Sequence, residues 1–145
     1  MGRIIGIDYG KRRIGLAISD EGQTIATPAG YIINRGPAKN LTAILNLTKS
    51  TPFNEIVCGL ALYPNGNESP ISTETRAFGE YLRTNLGMAV TYYDERYSSK
   101  EAEEHIRENL GIKNPKKVAE MVDTMAASMV LQEYLTNRRE INRHG

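Results

Sequence analysis

Three places along this chain carry carboxylates that could meet in one site. Asp8 follows the apolar run 4–7 and precedes a glycine turn, so it stands where a strand leaves the core. Asp94 and Glu95 end a later strand-like run, and Asp123 lies inside a helical pattern, far from either end. A carboxylate beside an apolar core is costly unless a partner neutralises its charge. A bound cation is one such partner, and it would suit all three places at once.

The chemistry that these acids favour is metal-assisted cleavage of a phosphodiester bond. Hard carboxylate oxygens that leave room for water suit Mg²⁺ or Mn²⁺. Repulsion between clustered carboxylates raises the pKa of at least one of them. A bound divalent cation offsets this repulsion. Two such ions about 3.5–4 Å apart can activate water and stabilise the leaving oxygen. We therefore expect Mg²⁺ or Mn²⁺ as the cofactor, with metal ligands drawn from Asp8, Asp94, Glu95 and Asp123.

Not all of these acids can be ligands on geometric grounds. Successive strand residues point to opposite faces of a sheet, so only one of Asp94 and Glu95 is expected to face Asp8. The other is expected to cap the next helix or to pair with Arg96. Asp123 has poor helix propensity, but alanines on its stripe would let the helix approach the sheet closely. The alternatives are a polar strand end at 94–95 and a structural hydrogen bond at Asp123.

Basic residues stand directly beside the predicted acids. Lys11, Arg12 and Arg13 follow the glycine turn, and Arg96 follows Glu95. The net charge is only +1, so global charge does not indicate a nucleic-acid partner. Local clusters can still meet phosphates, and we expect these four residues to bind the backbone of a nucleic acid. A solvated charged surface is the alternative for each cluster taken alone.

The elements that must position these residues follow from apolar periodicity and turn residues. Strands are predicted over 3–8, 13–19, 24–33, 55–60 and 88–93. The third strand contains a proline and a glycine, which makes it an edge strand with a bend.

Helices are predicted over 37–50, 70–86, 98–111 and 114–135. Ser69 can cap the second helix and Gly87 can end it. The order of elements predicts an α/β fold with a mixed sheet of three antiparallel strands followed by parallel strands, and with helices on both faces. We expect the first strand near the sheet centre beside 55–60. This places Asp8 at the carboxyl end of a central strand, where open α/β sheets hold their sites.

Length and composition fit one domain over residues 1–145. The single cysteine, Cys58, has no partner for a disulfide or a metal site, so a buried thiol is expected. No apolar stretch approaches the roughly 20 residues that span a bilayer, and the first residues show no secretory signal. We therefore expect a cytoplasmic protein.

Four segments, in order along nearly the whole chain, resemble the motifs of the YqgF/RuvX family. They are residues 6–10 with 13–20, residues 58–60 with 65–66, residues 94–102 and residues 122–135. Each segment is a weak match alone, and the four in sequence are specific. One departure is Ala61, which stands where the family usually has proline.

The resemblance implies an RNase H-like fold with five strands, related to the Holliday junction resolvases. It also implies a cytoplasmic, metal-dependent nuclease that matures the 5′ end of precursor 16S ribosomal RNA during ribosome biogenesis. Carried over by position, the catalytic acids would be Asp8, one of Asp94 and Glu95, and Asp123. Glu95 is preferred over its neighbour because its longer side chain reaches further.

Other functions fit the same residues. A Holliday junction resolvase acting on branched DNA could use the same acids, because backbone contacts carry no base information. Such an enzyme would need a symmetric dimer, and the sequence leaves monomer and homodimer open. The glycine-flanked Asp8 also resembles the phosphate loop of actin-like ATPases, which need two such domains. A non-catalytic nucleic-acid-binding factor acting in transcription is the third alternative.

Overall fold

The computed structural model describes residues 2–95, 108, 111 and 114–144, without the side chains of 119–120, 123–124 and 139–144. Five strands form one sheet: β1 (Arg3–Tyr9), β2 (Arg13–Ser19), β3 (Ala26–Ile33), β4 (Phe53–Leu60) and β5 (Ala89–Asp94). Three helices belong to the described part of the chain: α1 (Pro37–Leu47), α2 (Pro70–Leu86) and α3 (Pro115–His144). Within that part, no helix is long and apolar enough to span a membrane.

The sheet has the strand order β3-β2-β1-β4-β5, which confirms the predicted central place of β1. Strand β1 pairs antiparallel with β2 and parallel with β4, and β4 pairs parallel with β5. The interior of β1 is buried on both faces, as the unbroken apolar run 4–7 requires. Because β1, β4 and β5 are parallel, their carboxyl ends lie at the same end of the sheet.

Strand β3 lies at the sheet edge, as its proline predicts. Its pairing with β2 shifts register between Leu16, which pairs with Gly30, and Ala17, which pairs with Pro28. One residue of β3 is therefore left over as a bulge. Gly30 has a φ of 95°, a conformation that a side chain would strain, so the bend depends on glycine.

Helices cover both faces of the sheet, as predicted. Side chains from α1 and α2, such as Ile44 and Phe78, pack on the face that carries Ile5 and Ile7 of β1. Helix α3 packs on the opposite face against Ile4, Ala17 and Val57, using Ala127, Val130, Leu131 and Leu135. Cys58 is buried, which confirms its predicted place in the core.

Capping residues set the ends of α2. Ser69 caps α2 in a reciprocal pair with Ser72, and Gly87 ends the helix in the left-handed conformation. Helix α1 ends at Leu47, three residues before the predicted end, and α3 continues to His144, nine residues beyond its predicted end. The predicted helix 98–111 lies almost entirely outside the described residues.

Candidate active site

Asp8 lies near the carboxyl end of β1, opposite Gly15 of β2, and is half-buried. Its side of the sheet follows from Gly6, two residues earlier. A Cβ on Gly6 would stand 2.9 Å from Leu131 Cβ and 3.1 Å from the Ala127 carbonyl oxygen. Because residues two apart share a face, Asp8 belongs to the face that α3 covers.

Glu95 comes from the end of β5 and is only 7% exposed. Its backbone N–H donates to the Leu60 carbonyl at 3.0 Å, which ties it to the carboxyl end of β4. Its carboxyl group lies over Gly59, where a Cβ would stand 2.4 Å from Glu95 Oε2 and 3.2 Å from Val130 Cγ2. Glu95 is therefore also on the α3 face. Asp94, one residue earlier, is exposed.

The two carboxyl groups of Asp8 and Glu95 interact directly. Burial raises the pKa of Glu95 well above its ordinary value, and the nearby charge of Asp8 raises it further. A hydrogen bond between the Asp8 and Glu95 side chains and the more distant charge of Asp94 act in the same direction. Burial and the neighbouring charge of Asp8 thus both favour the neutral form of the Glu95 carboxyl.

One oxygen of this pair has unused acceptor capacity. Glu95 Oε2 is buried and has no hydrogen-bond partner among the residues that the structure describes. Buried polar atoms are nearly always paired, so an orphaned oxygen marks a place for a partner that the described residues do not supply. A hard divalent cation fits an orphaned carboxylate oxygen beside a second carboxyl group. The arrangement of Asp8 and Glu95 therefore fits a metal ion.

Asp123 lies in α3 by its backbone, and its side chain is outside the described residues. The direction of α3 places this position. Ala127 covers Gly6 in the middle of β1, and Tyr134 donates to Glu55, near the start of β4, at 3.1 Å. The helix thus runs from the carboxyl ends of the parallel strands toward their beginnings. Position 123 is one turn before Ala127 and lies toward the end that carries Asp8.

The structure brings together two of the predicted acids. Within the described residues, no group of three or more His, Cys, Asp or Glu side chains could hold a metal ion. A third protein ligand would have to come from a side chain that the structure does not describe, such as that of Asp123.

Three of the four predicted nucleic-acid-binding residues lie at the same end of the sheet. Lys11 and Arg12 are exposed in the turn between β1 and β2. Arg13 is half-buried at the start of β2, with its guanidinium carbon 6.0 Å from the centre of the Tyr31 ring. Arg96 lies outside the described residues.

Sequence reasoning missed the roles of Gly59 and Gly6. Both were treated as parts of apolar strands, although each is a place where another element approaches the sheet backbone. A glycine inside a strand pattern is itself a signal of close approach, but it does not say what approaches.

Hydrogen bonds hold the loop after β4, where Ala61 departs from the family pattern. The Ser69 hydroxyl donates to the Ala61 carbonyl at 2.6 Å, and Gly66 N–H donates to the Tyr63 carbonyl at 2.8 Å. Glu68 accepts two hydrogen bonds from Arg76 on α2. The loop is thus held against α2 without a proline at position 61.

Comparison with known proteins places the chain in a family. The family described as "RuvX: Holliday junction resolvase" matches residues 2–137. The chain belongs to the RuvX family. A relative from Chloroflexus aggregans, named as a candidate pre-16S rRNA nuclease, is 39% identical over 136 residues, 94% of each chain. A relative from Halothermothrix orenii with the same name is 36% identical over 140 residues, 97% of this chain and 99% of the relative.

Solved structures confirm the RNase H-like fold predicted for this RuvX protein. RuvC from T. thermophilus in complex with a Holliday junction superposes with a TM-score of 0.55 at 15% identity, covering 96% of both chains. The Fowlpox virus resolvase bound to Holliday junction DNA gives a TM-score of 0.51 at 15% identity, covering 92% of this chain and 98% of the resolvase. At such low identity these likenesses establish the fold alone.

Proposed function

We propose that this RuvX protein is a divalent-metal-dependent nuclease that cleaves precursor 16S ribosomal RNA near its 5′ end. Family membership supports a nuclease, and the names of the curated relatives support this substrate. A role in ribosome biogenesis places the protein in the cytoplasm. The observation that carries the proposal is the buried Asp8–Glu95 pair with its orphaned oxygen.

Asp8 and Glu95, together with Asp123, are the residues that would hold Mg²⁺ or Mn²⁺. A divalent ion bound there would supply a Lewis acid for attack of water on a phosphodiester. The hydrogen bond between Asp8 and Glu95 keeps the two carboxyl groups beside each other. Because Glu95 is buried by Gly59, Val130 and the strand ends, bulk water is kept from one side of the site.

The turn between β1 and β2, which carries Lys11 and Arg12 and is called the basic turn below, is proposed to bind the substrate. Lys11 and Arg12 are exposed beside the end of β1, so their side chains can reach phosphates of a strand lying over Asp8. Contacts of this kind position the backbone without reading bases. We assign Arg13 and Arg96 to the same role on the basis of their places in the sequence.

The test is cleavage of a precursor 16S RNA fragment with Mg²⁺ or Mn²⁺ by the parent, by four single variants and by one double variant. Asp8→Asn, Glu95→Gln and Asp123→Asn are expected to lower the rate by about a hundredfold or more, because each removes a carboxylate that would hold the cation that stabilises the reaction. Asp94→Asn is the matched control. It removes the same charge from the exposed residue next to Glu95. If a folded Asp8→Asn/Asp123→Asn double variant cleaves as well as the parent, the assignment is wrong.

Cleavage of branched DNA is a second candidate function, favoured by the description of the family as a Holliday junction resolvase. A resolvase must cut two strands symmetrically, which requires a dimer. A four-way DNA junction offered beside the precursor RNA, with the oligomeric state measured in solution, separates the two. Preferred junction cleavage by a dimer would overturn the RNA proposal, whereas RNA cleavage by a monomer would exclude the resolvase. RNA binding by a parent that never cleaves would favour a non-catalytic factor.

A further inference from the structure

A groove of about 540 Å³ lies beside the end of β3 and the outer side of α1. Its lining includes the aliphatic residues Ile32, Ile33, Ala38 and Ala43 and the polar residues Thr42 and Asn46. Its charged lining residues are Arg35 and Lys39, and no acidic residue among those that the structure describes lines it. The groove lies outside the pair formed by Asp8 and Glu95, and nothing in the catalytic proposal uses it.

Both cations of the groove are available to a ligand. Arg35 and Lys39 are exposed. Ion pairs in the described part of the chain join Arg76 to Glu68, Arg83 to Glu80 and Arg138 to Glu55, and the groove cations take part in none of them. Two unpaired positive charges over an apolar wall, in a chain of net charge +1, favour an anionic ligand that also carries apolar surface.

Hydrogen bonds fix the groove to the basic turn. The Asn34 backbone N–H donates to the Arg12 carbonyl, and its side-chain amide donates to the Gly10 carbonyl, both at 2.9 Å. The buried Asn40 of α1 donates to the Asn34 side chain and accepts from the Arg35 backbone N–H, again at 2.9 Å. A connected, partly buried network of this kind restricts the geometry of the groups that it joins. Arg35 is thus held at a constant place relative to the turn.

The groove is also close to the turn that follows β1. Tyr9, the neighbour of Asp8, pairs with Ile14, and Ile14 pairs with Ile32 in the groove wall. Two strand spacings separate Tyr9 from Ile32, which is about 10 Å. Asp8 faces α3, whereas Tyr9 and Ile32 face α1 and α2, so a strand held at Asp8 would reach the groove by passing around the turn between β1 and β2.

We propose that this groove, defined by Arg35 and Lys39, is a continuation of the substrate path and binds the single-stranded RNA flanking the cleaved bond. Arg35 and Lys39 contact backbone phosphates, and the aliphatic wall takes the carbon faces of ribose and base. The path runs from Asp8 over Lys11 and Arg12 into the groove. This inference rests on the proposed nuclease function and extends it from the bond that is cut to the strand beside it.

The experiment measures binding of a labelled single-stranded RNA by fluorescence anisotropy, without divalent ions, across a range of salt concentrations. Each phosphate contact on a single strand contributes about 0.7 to the slope of log affinity against log salt. The variant Arg35→Gln/Lys39→Gln is therefore expected to lower the slope by about 1.4 and to raise Kd by about three- to tenfold near physiological salt. In the cleavage assay it should raise KM by a similar factor and leave kcat unchanged.

Lys39→Gln has a matched control in Lys49→Gln. Lys49 is an equally exposed lysine just beyond the other end of α1, about 15 Å away along the helix. Lys39→Gln should weaken binding and lower the slope, and Lys49→Gln should not. Melting curves for all variants should match that of the parent.

Three results overturn the proposal. Equal slopes for Lys39→Gln and Lys49→Gln, with a parent that still binds and cleaves RNA, refute the groove and leave the nuclease standing. A loss of kcat at unchanged KM shows that the groove does not hold substrate. A parent that neither binds nor cleaves RNA removes both the groove and the function on which it rests.

Discussion

Replacing Gly59 by alanine moves one of the proposed catalytic groups while leaving every charge in place. The new Cβ would stand 2.4 Å from Glu95 Oε2, 2.8 Å from its Cδ and 3.2 Å from Val130 Cγ2. Comfortable contacts between heavy atoms lie at about 3.5–4.0 Å. The Glu95 carboxyl must therefore shift by about 1 Å or more, away from its place beside Asp8.

The size of the effect follows from that displacement. A misplacement of about 1 Å in a catalytic constellation can cost about a hundredfold in rate. The effect on stability is smaller, because the clashing atoms are the end of a side chain that can rotate. Overpacking costs about 1–3 kcal/mol, and alanine regains about 0.5–1 kcal/mol over glycine within a strand. We expect Gly59→Ala to lose about a hundredfold in kcat and no more than about 2 kcal/mol in the free energy of unfolding.

Gly79→Ala is the matched control for this variant. Its Cβ would stand 2.5 Å from the hydroxyl of Tyr92, so the clash is similar, but it lies where α2 packs on the opposite face of the sheet. Gly79→Ala should be destabilised and still cleave at the parent rate. Single-turnover cleavage of precursor RNA and urea unfolding measure the two quantities. A folded Gly59→Ala that cleaves at the parent rate, or a Gly79→Ala that loses as much activity, would refute the geometry.

Two further predictions concern buried titratable groups. The raised pKa of Glu95 means that its neutral form favours folding; this stability is present below the ordinary glutamate pKa and is lost as pH rises through the raised value. In chelator, Glu95→Gln should therefore gain on the parent by about 1–3 kcal/mol as urea unfolding is followed toward pH 8, and parallel pH profiles would contradict this. Burial, with a smaller effect from the charge of Glu95, raises the pKa of the Cys58 thiol to about 12. Native protein at pH 8 should leave this thiol unalkylated by iodoacetamide until urea unfolds it, and rapid labelling of the folded chain would show the burial to be wrong.

Much of the fold was predictable because the signals are local. Local structure is predicted from a few neighbouring residues at the buried run 4–7, at the proline of β3 and at the cap formed by Ser69. The end of α3 was not predictable in this way, because residues 136–144 lack apolar periodicity. Those residues also lack glycine or proline to stop the helix. Arg138, which pairs with Glu55 and donates to Gln23, gives the extra turns a tertiary reason that no local pattern carries.

The choice between Asp94 and Glu95 shows where local reasoning stops. Alternation along β5 predicts that one of them faces Asp8, but a strand has no marker that says which face is which. The difference in their environments comes from Gly59 on β4 and Val130 on α3, both at least 35 positions away. Only their joint placement leaves a space over the sheet that a glutamate at position 95 fills.

The cost of burying Glu95 is itself an argument about function. Its carboxyl group lies beside a like-charged neighbour, and one of its oxygens has no partner among the described residues. A glutamine could fill the same space without the charge, so packing alone does not explain an acid there. A cation that binds the folded state and not the unfolded chain offsets such a cost through mass action. Under the proposed function, the destabilisation at Glu95 and the binding of a metal there are therefore two aspects of one arrangement, and a variant that relieves the first should lose the second.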